Sequence, residues 1–414
     1  MIIEFLGGCD EIGREAFLVK DKNTNVLLEY GVELQPNIKL PLLPAVKIDG
    51  FFVSHAHLDH SGMVPLIYKF QNPTLYATPA TLDLMNLLLE DYIKVAGLTR
   101  GFSEYQKYDI AKMNKNFKPC FYNQKFKIGN LVAKLFDASH IPGSASIYIS
   151  GSKSILYTGD INTISTYLLD YKEINYPEID CLIMESTYSE REHPDRKIEE
   201  KRFIKKIREY ENGLVLLPTF AVGRAQELLL MLYSNGIKRE IYLDGMAQKA
   251  SDIILYHKKY IKDDKSLKKV LKRVNFIRTK KQRDRIIKRG GIVVTTSGML
   301  NGGPIVYYLK KVRNMKNTCL LMTGFQAEGT PGEKLLRTRY FENGESKFKV
   351  NIEIQKFDFS AHAGRSGLFK LIKRIAPKKV ICVHGENTKK FAMEIREKLE
   401  IEAIAPKIGD IVEL

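Results

Sequence analysis

The sequence predicts an α/β protein, and three observations support this fold class. Short apolar segments typical of strands recur along the whole chain. In the middle of the chain they alternate with segments of helical composition, which predicts a parallel sheet with helices on its faces. Towards both ends, the apolar segments finish on polar residues, and strand ends at one sheet edge are a normal place for a rigid site.

The composition is that of an ordinary globular protein. The 414 residues are enough for two or three domains, and 44% of them are apolar while 27% are charged. No apolar run is long enough to predict a membrane span, and the N-terminus lacks the basic start of a signal peptide. Five widely spaced cysteines without a CxxC pair favour reduced thiols. We therefore expect a cytoplasmic protein with no membrane association.

The net charge of +17 favours a polyanionic partner such as nucleic acid. Residues 258–289 alone contain fifteen Lys or Arg and three Asp, a net charge of +12. Phosphate contacts by these side chains would be independent of base sequence and sensitive to salt. Two alternatives would explain the positive charge without such a partner: a lysine-rich compositional bias of the whole chain, or a solvated helical face in this segment.

The apolar pattern and the turn residues predict the order of the elements. In the first part of the chain we predict strands at residues 2–6, 16–19, 26–30, 50–53, 73–78, 131–137, 147–149, 154–158 and 181–184. Helices are predicted at residues 63–68 and 79–90. Residues 104–122 have a mixed pattern and receive no assignment. Later we predict a charged helix at residues 196–210 and strands at residues 213–217, 240–243, 292–296, 318–323 and 379–383.

The most informative stretch is Ser-His-Ala-His-Leu-Asp-His, which begins at residue 54 directly after a predicted strand. His55 and His57 are two apart, so in extended chain they point the same way and can share one metal ion. Asp59 and His60 can turn toward a second ion once the backbone bends. Imidazole and carboxylate are the ligands expected for Zn²⁺ or a similar divalent metal. A surface loop or a capping cluster is the alternative.

Six of the eight histidines lie at loop positions: His55, His57, His60, His140, His362 and His384. Two metal ions are the economical interpretation. Three histidines would hold one ion (His55, His57 and His140), and a mixed set would hold the other (Asp59, His60 and His384). Asp160 is the natural bridging carboxylate. Two ions about 3.5–4 Å apart would generate hydroxide near neutral pH and neutralise charge on a phosphodiester.

Other polar residues have roles that the sequence leaves open. His362 could be a metal ligand or an acid that protonates the leaving oxygen, and Glu185 could orient it. Ser297 and Gly298 lie just beyond a predicted strand, where the N–H groups of a glycine turn can cradle phosphate. Arg224 could contact phosphate or cap a helix.

These motifs resemble those of the metallo-β-lactamase superfamily. Glu185 in Met-Glu-Ser-Thr-Tyr, His362 in Ser-Ala-His-Ala-Gly and His384 in Val-His-Gly-Glu are similar to the three added motifs of its β-CASP branch. The match covers nearly the whole chain in the family's order. It implies an αββα metallo-β-lactamase sandwich from residues 1–195 and 350–414, with an α/β β-CASP domain inserted at residues 196–349.

The resemblance implies a zinc-dependent ribonuclease with two Zn²⁺ per chain, bound by the ligands named above. Asp59, Glu185 and His362 would be catalytic, the last two as a proton-donating pair. His384 is similar to the RNA-processing members, and the chain looks like a short archaeal cleavage-and-polyadenylation-specificity-factor-like ribonuclease without KH domains. Glu29 stands where the family usually has Asp, and as a supporting group it should leave the ligand set intact.

Ser360, together with His362, would bind a 5′-phosphate by similarity to exonucleolytic relatives. A hydrolase of small esters and a non-catalytic RNA-binding subunit are the competing hypotheses. The sequence leaves open whether cleavage is endonucleolytic, 5′-to-3′ exonucleolytic or both. It also leaves open the RNA preference, the accessory partners and the oligomeric state, including a homodimer.

Overall fold

Strands from both ends of the chain build two seven-stranded sheets in the computed structural model, which describes residues 1–34 and 37–414. The chain divides into two units. The first unit contains Met1–Ser165, Tyr171–Glu192 and Ala361–Leu414. The second unit contains Thr166–Asp170 and His193–Ser360.

The first sheet of the first unit consists of β1 (Ile2–Gly7), β2 (Ala16–Asp21), β3 (Thr24–Leu28), β4 (Gly50–Phe52), β5 (Thr74–Ala77), β6 (Phe117–Pro119) and β22 (Ile411–Glu413). Their spatial order is β22-β1-β2-β3-β4-β5-β6. β1 to β3 form an antiparallel meander, and β3 to β6 are parallel. The parallel strands are joined through α1 (Leu58–Ser61), α2 (Val64–Ile67), α3 (Pro79–Arg100) and α4 (Lys107–Lys115).

The second sheet consists of β7 (Lys125–Ile128), β8 (Leu131–Asp137), β9 (Ala145–Ser150), β10 (Ser154–Tyr157), β11 (Cys181–Glu185), β20 (Lys379–Val383) and β21 (Glu402–Ile404). Their spatial order is β21-β20-β11-β10-β9-β8-β7. The strands predicted at residues 147–149 and 154–158 are present as the antiparallel pair β9 and β10. Two further helices belong to the same unit, α12 (Arg365–Ile375) and α13 (Thr388–Leu399).

Apolar side chains of the two sheets pack face to face. Phe17 of β2 and Tyr157 of β10 make an edge-to-face contact with ring centroids 5.4 Å apart, inside a core that draws on strands of both sheets. The outer face of the second sheet packs against α12 and α13, for example through Leu182 with Ile372 and Phe391. The predicted fold class, an α/β metallo-β-lactamase sandwich with an inserted domain, is confirmed.

The second unit alternates strands and helices along the chain, as predicted. Its strands are β12 (Leu214–Pro218), β13 (Ile241–Asp244), β14 (Asn275–Ile277), β15 (Gly291–Thr295), β16 (Thr318–Met322), β17 (Tyr340–Glu342), β18 (Lys347–Lys349) and β19 (Glu353–Lys356). Its helices are α5 (Arg196–Glu209), α6 (Arg224–Ser234), α7 (Ala247–Tyr256), α8 (Asp264–Arg273), α9 (Lys280–Arg289), α10 (Pro304–Val312) and α11 (Pro331–Thr338).

Six of these strands form a parallel sheet in the order β14-β13-β15-β12-β16-β19, and β17 pairs with β18 in a separate hairpin. The central strands are buried along their whole length, as expected for a sheet covered on both faces. Among the described residues, no helix has both the length and the apolar character needed to cross a lipid bilayer. All five cysteines are free and buried.

Candidate metal centre

The predicted site residues follow strands whose carboxyl ends meet at one edge of the second sheet. β10, β11 and β20 are parallel neighbours, and β8 runs in the same direction because β9 is antiparallel to both β8 and β10. His140, Asp160, Glu185 and His384 therefore come to the same edge although they are far apart in sequence.

The histidine stretch reaches this edge from β4 of the first sheet. His55 and His57 lie in the turn after the strand, and α1 supplies the bend that the sequence required before Asp59 and His60. Gly31 allows this arrangement because a Cβ there would overlap the carbonyl oxygen of Asp59. The ligand-bearing turn therefore lies directly on the backbone that follows β3.

Three histidines surround one oxygen of Asp160. Nε2 of His55 and Nε2 of His140 each lie 3.2 Å from Nδ1 of His57 and 3.4 Å from Oδ2 of Asp160. Ligands at 2.0–2.1 Å around a tetrahedral ion are separated from one another by about 3.3 Å. The spacing of these four donor atoms therefore suits one shared cation.

The other oxygen of Asp160 faces a second group. Its Oδ1 lies 3.2 Å from Nε2 of His60 and 3.3 Å from Nδ1 of His384. Oδ2 of Asp59 lies 3.6 Å from Nε2 of His384, and Asp59 also has a donor atom within 4.8 Å of those of His55 and His60. The geometry thus gives two donor groups joined by one carboxylate.

Several buried polar atoms in this cluster form no hydrogen bond with any described residue: Nε2 of His60, Nε2 of His384 and Oδ1 of Asp160. All three side chains are at most 2% exposed. A buried polar atom without a partner costs free energy, so a cation between these atoms would satisfy all of them at once. The donor set of imidazoles and carboxylates fits zinc.

The charges of the cluster also suit a metal. Burial holds the pKa of His55 and of His140 well below the ordinary value, which keeps these imidazoles neutral and their lone pairs available. Burial opposes ionisation of Asp160, but the nearby His60 and His384 bring its pKa well below the ordinary value. Burial likewise opposes the charge on His60, yet Asp160 raises its pKa to about 9. The cluster therefore attracts positive charge.

The second ring nitrogens are held by partners outside the cluster. Nδ1 of His140 donates to the carbonyl oxygen of Ala361 at 2.9 Å. Nδ1 of His55 lies 3.0 Å from Oγ of Ser54. Nδ1 of His384 lies 3.0 Å from Oγ1 of Thr187 as well as 3.3 Å from Asp160, which leaves its Nε2, the nitrogen nearer Asp59, available to a metal ion. Such contacts fix ring orientation and tune ligand basicity. The imidazoles are therefore preorganised.

Glu185 and His362 form a pair beside the cluster. Nδ1 of His362 lies 2.9 Å from Oε1 and 3.1 Å from Oε2 of Glu185. Oε1 of Glu185 also accepts a hydrogen bond from the N–H of Ile161, and Nε2 of His362 lies 3.7 Å from Oδ2 of Asp160. The structure thus brings together the predicted proton-donating pair, while Asp160, Glu185 and His362 also form a group with metal-ligand spacing.

The residues predicted to contact substrate belong to the second unit. Each follows a strand of its parallel sheet: Arg224 after β12, Ser297 and Gly298 after β15, and Ser360 after β19. Because these strands are parallel, their carboxyl ends lie along one sheet edge, where ligands commonly bind. The carbonyl oxygen of Gly298 accepts from Nε2 of Gln326 at 3.0 Å. Substrate contact by these residues stays a prediction.

Sequence reasoning missed one residue of the centre, Glu15. Glu15 is fully buried, its carboxylate forms no hydrogen bond with a described residue, and burial raises its pKa well above the ordinary value. Glu29 was expected only as a supporting group, and its Oε1 accepts from the N–H of Ser54 at 2.7 Å while Oε2 lies 3.7 Å from Nδ1 of His60. The available signal was a glycine two residues away in the sequence, Gly13 for Glu15 and Gly31 for Glu29.

Three family models match the chain. Residues 225–335 match the Beta-Casp domain, and residues 347–406 match the Zn-dependent metallo-hydrolase RNA specificity domain. Residues 11–191 match the anti-Pycsar protein Apyc1. Together with the histidine–carboxylate cluster, the metallo-hydrolase match indicates that this centre binds metal.

Similar proteins cover the whole chain. The probable RNase MJ4 of Methanocaldococcus jannaschii is 38% identical over 100% of both chains. RNase aCSPSF2 of Saccharolobus solfataricus is 36% identical over 100% of this chain and 85% of its own. Transcription termination factor FttA of M. jannaschii is 32% identical over 99% of this chain and 71% of its own. A solved structure, a protein of unknown function from Enterococcus faecalis V583, has the same fold with a TM-score of 0.62 at 16% identity.

Proposed function

The chain belongs to the β-CASP branch of the metallo-β-lactamase ribonucleases, metal-dependent enzymes that hydrolyse RNA phosphodiester bonds, and from this premise we propose that it works with two Zn²⁺ ions. His55, His57 and His140 would hold one ion, and Asp59, His60 and His384 the other, with Asp160 as the bridge.

One observation carries the two-ion proposal. Asp160 directs Oδ2 toward His55 and His140 and Oδ1 toward His60 and His384, all within 3.2 to 3.4 Å. A carboxylate that served a single ion would not need donor groups on both oxygens. Two zinc ions in this centre would supply a hydroxide nucleophile near neutral pH and neutralise charge on the phosphodiester.

Side chains of this protein would supply the proton that the leaving oxygen needs. Nδ1 of His362 is held by Glu185, so Nε2 can carry a proton toward the oxygen that leaves when the phosphodiester breaks. Glu185 is the positioning residue of this pair because its two oxygens fix the tautomer and the ring plane. Asp59 would help to hold the second metal ion together with His384, whose Nε2 lies 3.6 Å from its Oδ2.

Substrate binding is assigned to the carboxyl edge of the parallel sheet in the second unit. We propose that Ser297, Gly298 and Arg224 contact RNA phosphates, and that Ser360 contacts a 5′-phosphate. The loop glycine and the arginine at the start of α6 are suited to anions, since backbone N–H groups and a guanidinium both donate to phosphate oxygens.

The metal and the activity are tested together. Purified protein is assayed on RNA before and after EDTA treatment, with zinc counted by elemental analysis. We expect about two zinc ions per chain, loss of cleavage with EDTA, and loss of both zinc and cleavage in the Asp59→Ala, His60→Ala double variant. His257→Ala, a histidine outside the cluster, is the control and should keep both.

Other results would overturn the assignment. Cleavage that survives in the double variant would exclude this centre as the site of hydrolysis. Turnover of small esters or thioesters without turnover of RNA would favour the competing hydrolase. A chain with fewer than one zinc that binds RNA without cutting it would be a non-catalytic subunit.

The mode of cleavage requires end-labelled substrates. RNA labelled at the 5′ or the 3′ end, each with a 5′-monophosphate or 5′-triphosphate, is incubated with the enzyme and the product lengths are compared. We propose endonucleolytic cleavage, 5′-to-3′ exonucleolytic cleavage or both. Mononucleotides released from the 5′-monophosphate substrate identify the exonuclease, and internal fragments identify the endonuclease.

We propose the cytoplasm as the compartment, and the five separate buried thiols support a reducing environment. A homodimer is the assembly to test first. Light scattering at several protein concentrations separates a monomer from a dimer.

A further inference from the structure

The strongest charged feature outside the metal centre is one edge of the second unit. β14 is the last strand of the parallel sheet, and among the described residues it pairs with β13 alone. α8 precedes β14 and α9 follows it. We call α8, β14, α9 and the residues that join them the basic edge.

The two helices of the basic edge bury an apolar face and expose a cationic one. Leu267 and Val270 of α8 and Ile286 of α9 are buried. The exposed side chains include eleven cations: Lys265, Lys268, Lys269, Lys272, Arg273, Arg278, Lys280, Lys281, Arg285, Lys288 and Arg289. Leu271 and Ile287 are half-buried, so the fully exposed face of the two helices is cationic rather than apolar.

These eleven cations have no carboxylate partner within ion-pair distance in the described part of the chain. The ion pairs of the segment lie elsewhere: Arg283 with Asp244, and Lys262 with Asp170 at 3.9 Å. We therefore do not expect Arg283 to contact RNA, because both of its side-chain hydrogen bonds go to the fully buried carboxylate of Asp244. Its role is to anchor α9 to β13.

The arrangement opposes the stability of the helices that carry it. Like charges four residues apart on a helix destabilise it, and such pairs recur here: Lys265 with Lys269, Lys268 with Lys272, Lys269 with Arg273, Lys281 with Arg285, and Arg285 with Arg289. The helices persist because Asp263 and Thr279 cap their N-termini and because their apolar faces are buried. A bound polyanion would relieve this repulsion.

We propose that the basic edge is a second RNA-binding surface, distinct from the residues that hydrolyse RNA, and that it captures RNA through its phosphates without regard to sequence. The inference rests on the proposed function for its choice of polyanion, since RNA is the substrate of the family. Cations spaced along two helices suit a repeating chain of phosphates, and their contacts release counterions.

The test is a set of four substitutions that remove charge from the exposed face: Lys268→Gln, Lys272→Gln, Lys281→Gln and Arg285→Gln. The matched control removes four exposed lysines that have carboxylate partners in the first unit: Lys378→Gln, Lys389→Gln, Lys390→Gln and Lys398→Gln. Both proteins lose the same net charge. Binding of a labelled 30-nucleotide RNA is measured by fluorescence anisotropy at several salt concentrations. Every protein compared carries His362→Ala, so that the metal stays bound while cleavage is slow.

We expect the basic-edge variant to bind RNA at least tenfold more weakly near 0.1 M salt. Its slope of log Kd against log salt should fall by about 2 to 3, since each lost phosphate contact removes about 0.7 for single strands. The control variant should stay within about twofold of the original protein. The melting temperature of the basic-edge variant should be no lower than that of the unsubstituted protein, because the side chains that it replaces repel one another.

Three outcomes would overturn the proposal: unchanged binding in the basic-edge variant, an equal loss in the control, or equally tight, equally salt-dependent binding of poly-glutamate. Hydrolysis is measured separately, with a tetranucleotide RNA as the substrate. The kcat of the basic-edge variant on this substrate should equal that of the original protein. If the original protein bound RNA through the basic edge but cleaved none, the proposed function would fail while this inference stood.

Discussion

Glu185 holds Nδ1 of His362 with both carboxylate oxygens, at 2.9 and 3.1 Å. The contact decides which ring nitrogen faces the metal centre, and Nε2 lies 3.7 Å from Oδ2 of Asp160. Burial alone would lower the pKa of His362, but the carboxylates of Glu185 and Asp160 raise it above the ordinary value. A protonated imidazole at this place is suited to protonating a leaving oxygen.

His362→Ala should remove the general acid and leave the metal in place. We expect kcat to fall by about 10²- to 10⁴-fold, the usual contribution of such a group. Zinc content, measured by elemental analysis, should stay at the level of the unsubstituted protein. Loss of zinc in this variant would instead make His362 a ligand.

Glu185→Gln should move the pH profile. The amide removes the negative charge that raises the pKa of His362, so the imidazole loses its proton at a lower pH. An acid works only while protonated, and kcat should therefore begin to fall at a lower pH on the alkaline side. The pH–kcat profiles of the two proteins are compared, and coincident alkaline limbs would contradict the proposed role.

Asp160→Asn should disrupt both donor groups at once. The amide cannot present an anionic oxygen to each group, and the buried His60 loses the carboxylate 3.2 Å from its Nε2. We expect at least half of the bound metal to be lost and activity to fall by about 10³-fold or more. Elemental analysis after gel filtration measures the metal content, and an RNA cleavage assay measures the activity. Full metal content with normal cleavage would exclude Asp160 as the bridge.

Gly31→Ala should destabilise the first unit, because its Cβ would overlap the carbonyl oxygen of Asp59. We expect a loss of about 1–3 kcal/mol in the free energy of unfolding, measured by denaturant titration. Gly97→Ala is the control: Gly97 lies within α3, and a Cβ there meets nothing within 4 Å. Alanine should stabilise this helix by about 0.5–1 kcal/mol. Equal effects at the two glycines would refute the steric argument.

Arg283→Ala should destabilise the second unit. Asp244 is fully buried and accepts two hydrogen bonds from Arg283, at 2.7 and 2.9 Å, and one from Tyr308. Removing the guanidinium leaves a buried charge without its cation, which costs about 3–5 kcal/mol. Arg285→Ala, two residues away and exposed, should change the free energy of unfolding by less than about 0.5 kcal/mol. Denaturant titration measures the free energy of unfolding of both variants, and equal losses would contradict the anchoring role of Arg283.

Local pattern predicted the elements well where apolar periodicity and turn residues agreed. The strand at residues 131–137 has the predicted bounds, and the charged helix at residues 196–210 ends one residue earlier. The helix predicted to stop at residue 90 continues to Arg100. Tyr92 stacks on Tyr105 and Arg100 pairs with Glu104, so contacts with the following loop extend α3 past the point where its pattern weakens.

Residues 104–122 received no assignment, and they contain α4 and β6. α4 is a short helix with few apolar residues, and only Asp109, Ile110 and Met113 are buried. β6 is only three residues long, and it pairs with β5 along one of its edges. Elements this short are stabilised by their neighbours rather than by their own propensity, and a single sequence does not reveal those neighbours.

The sequence by itself determined the fold class, the residue types of the centre and their positions at strand ends, because apolar periodicity and the His-x-His-x-Asp-His spacing are local properties. Only the tertiary structure decided that Asp160 divides its two oxygens between two histidine groups. It also decided that the carbonyl of Ala361 orients His140 across 221 residues of chain. Distances between residues so far apart depend on how the strands align, and no local pattern encodes that alignment.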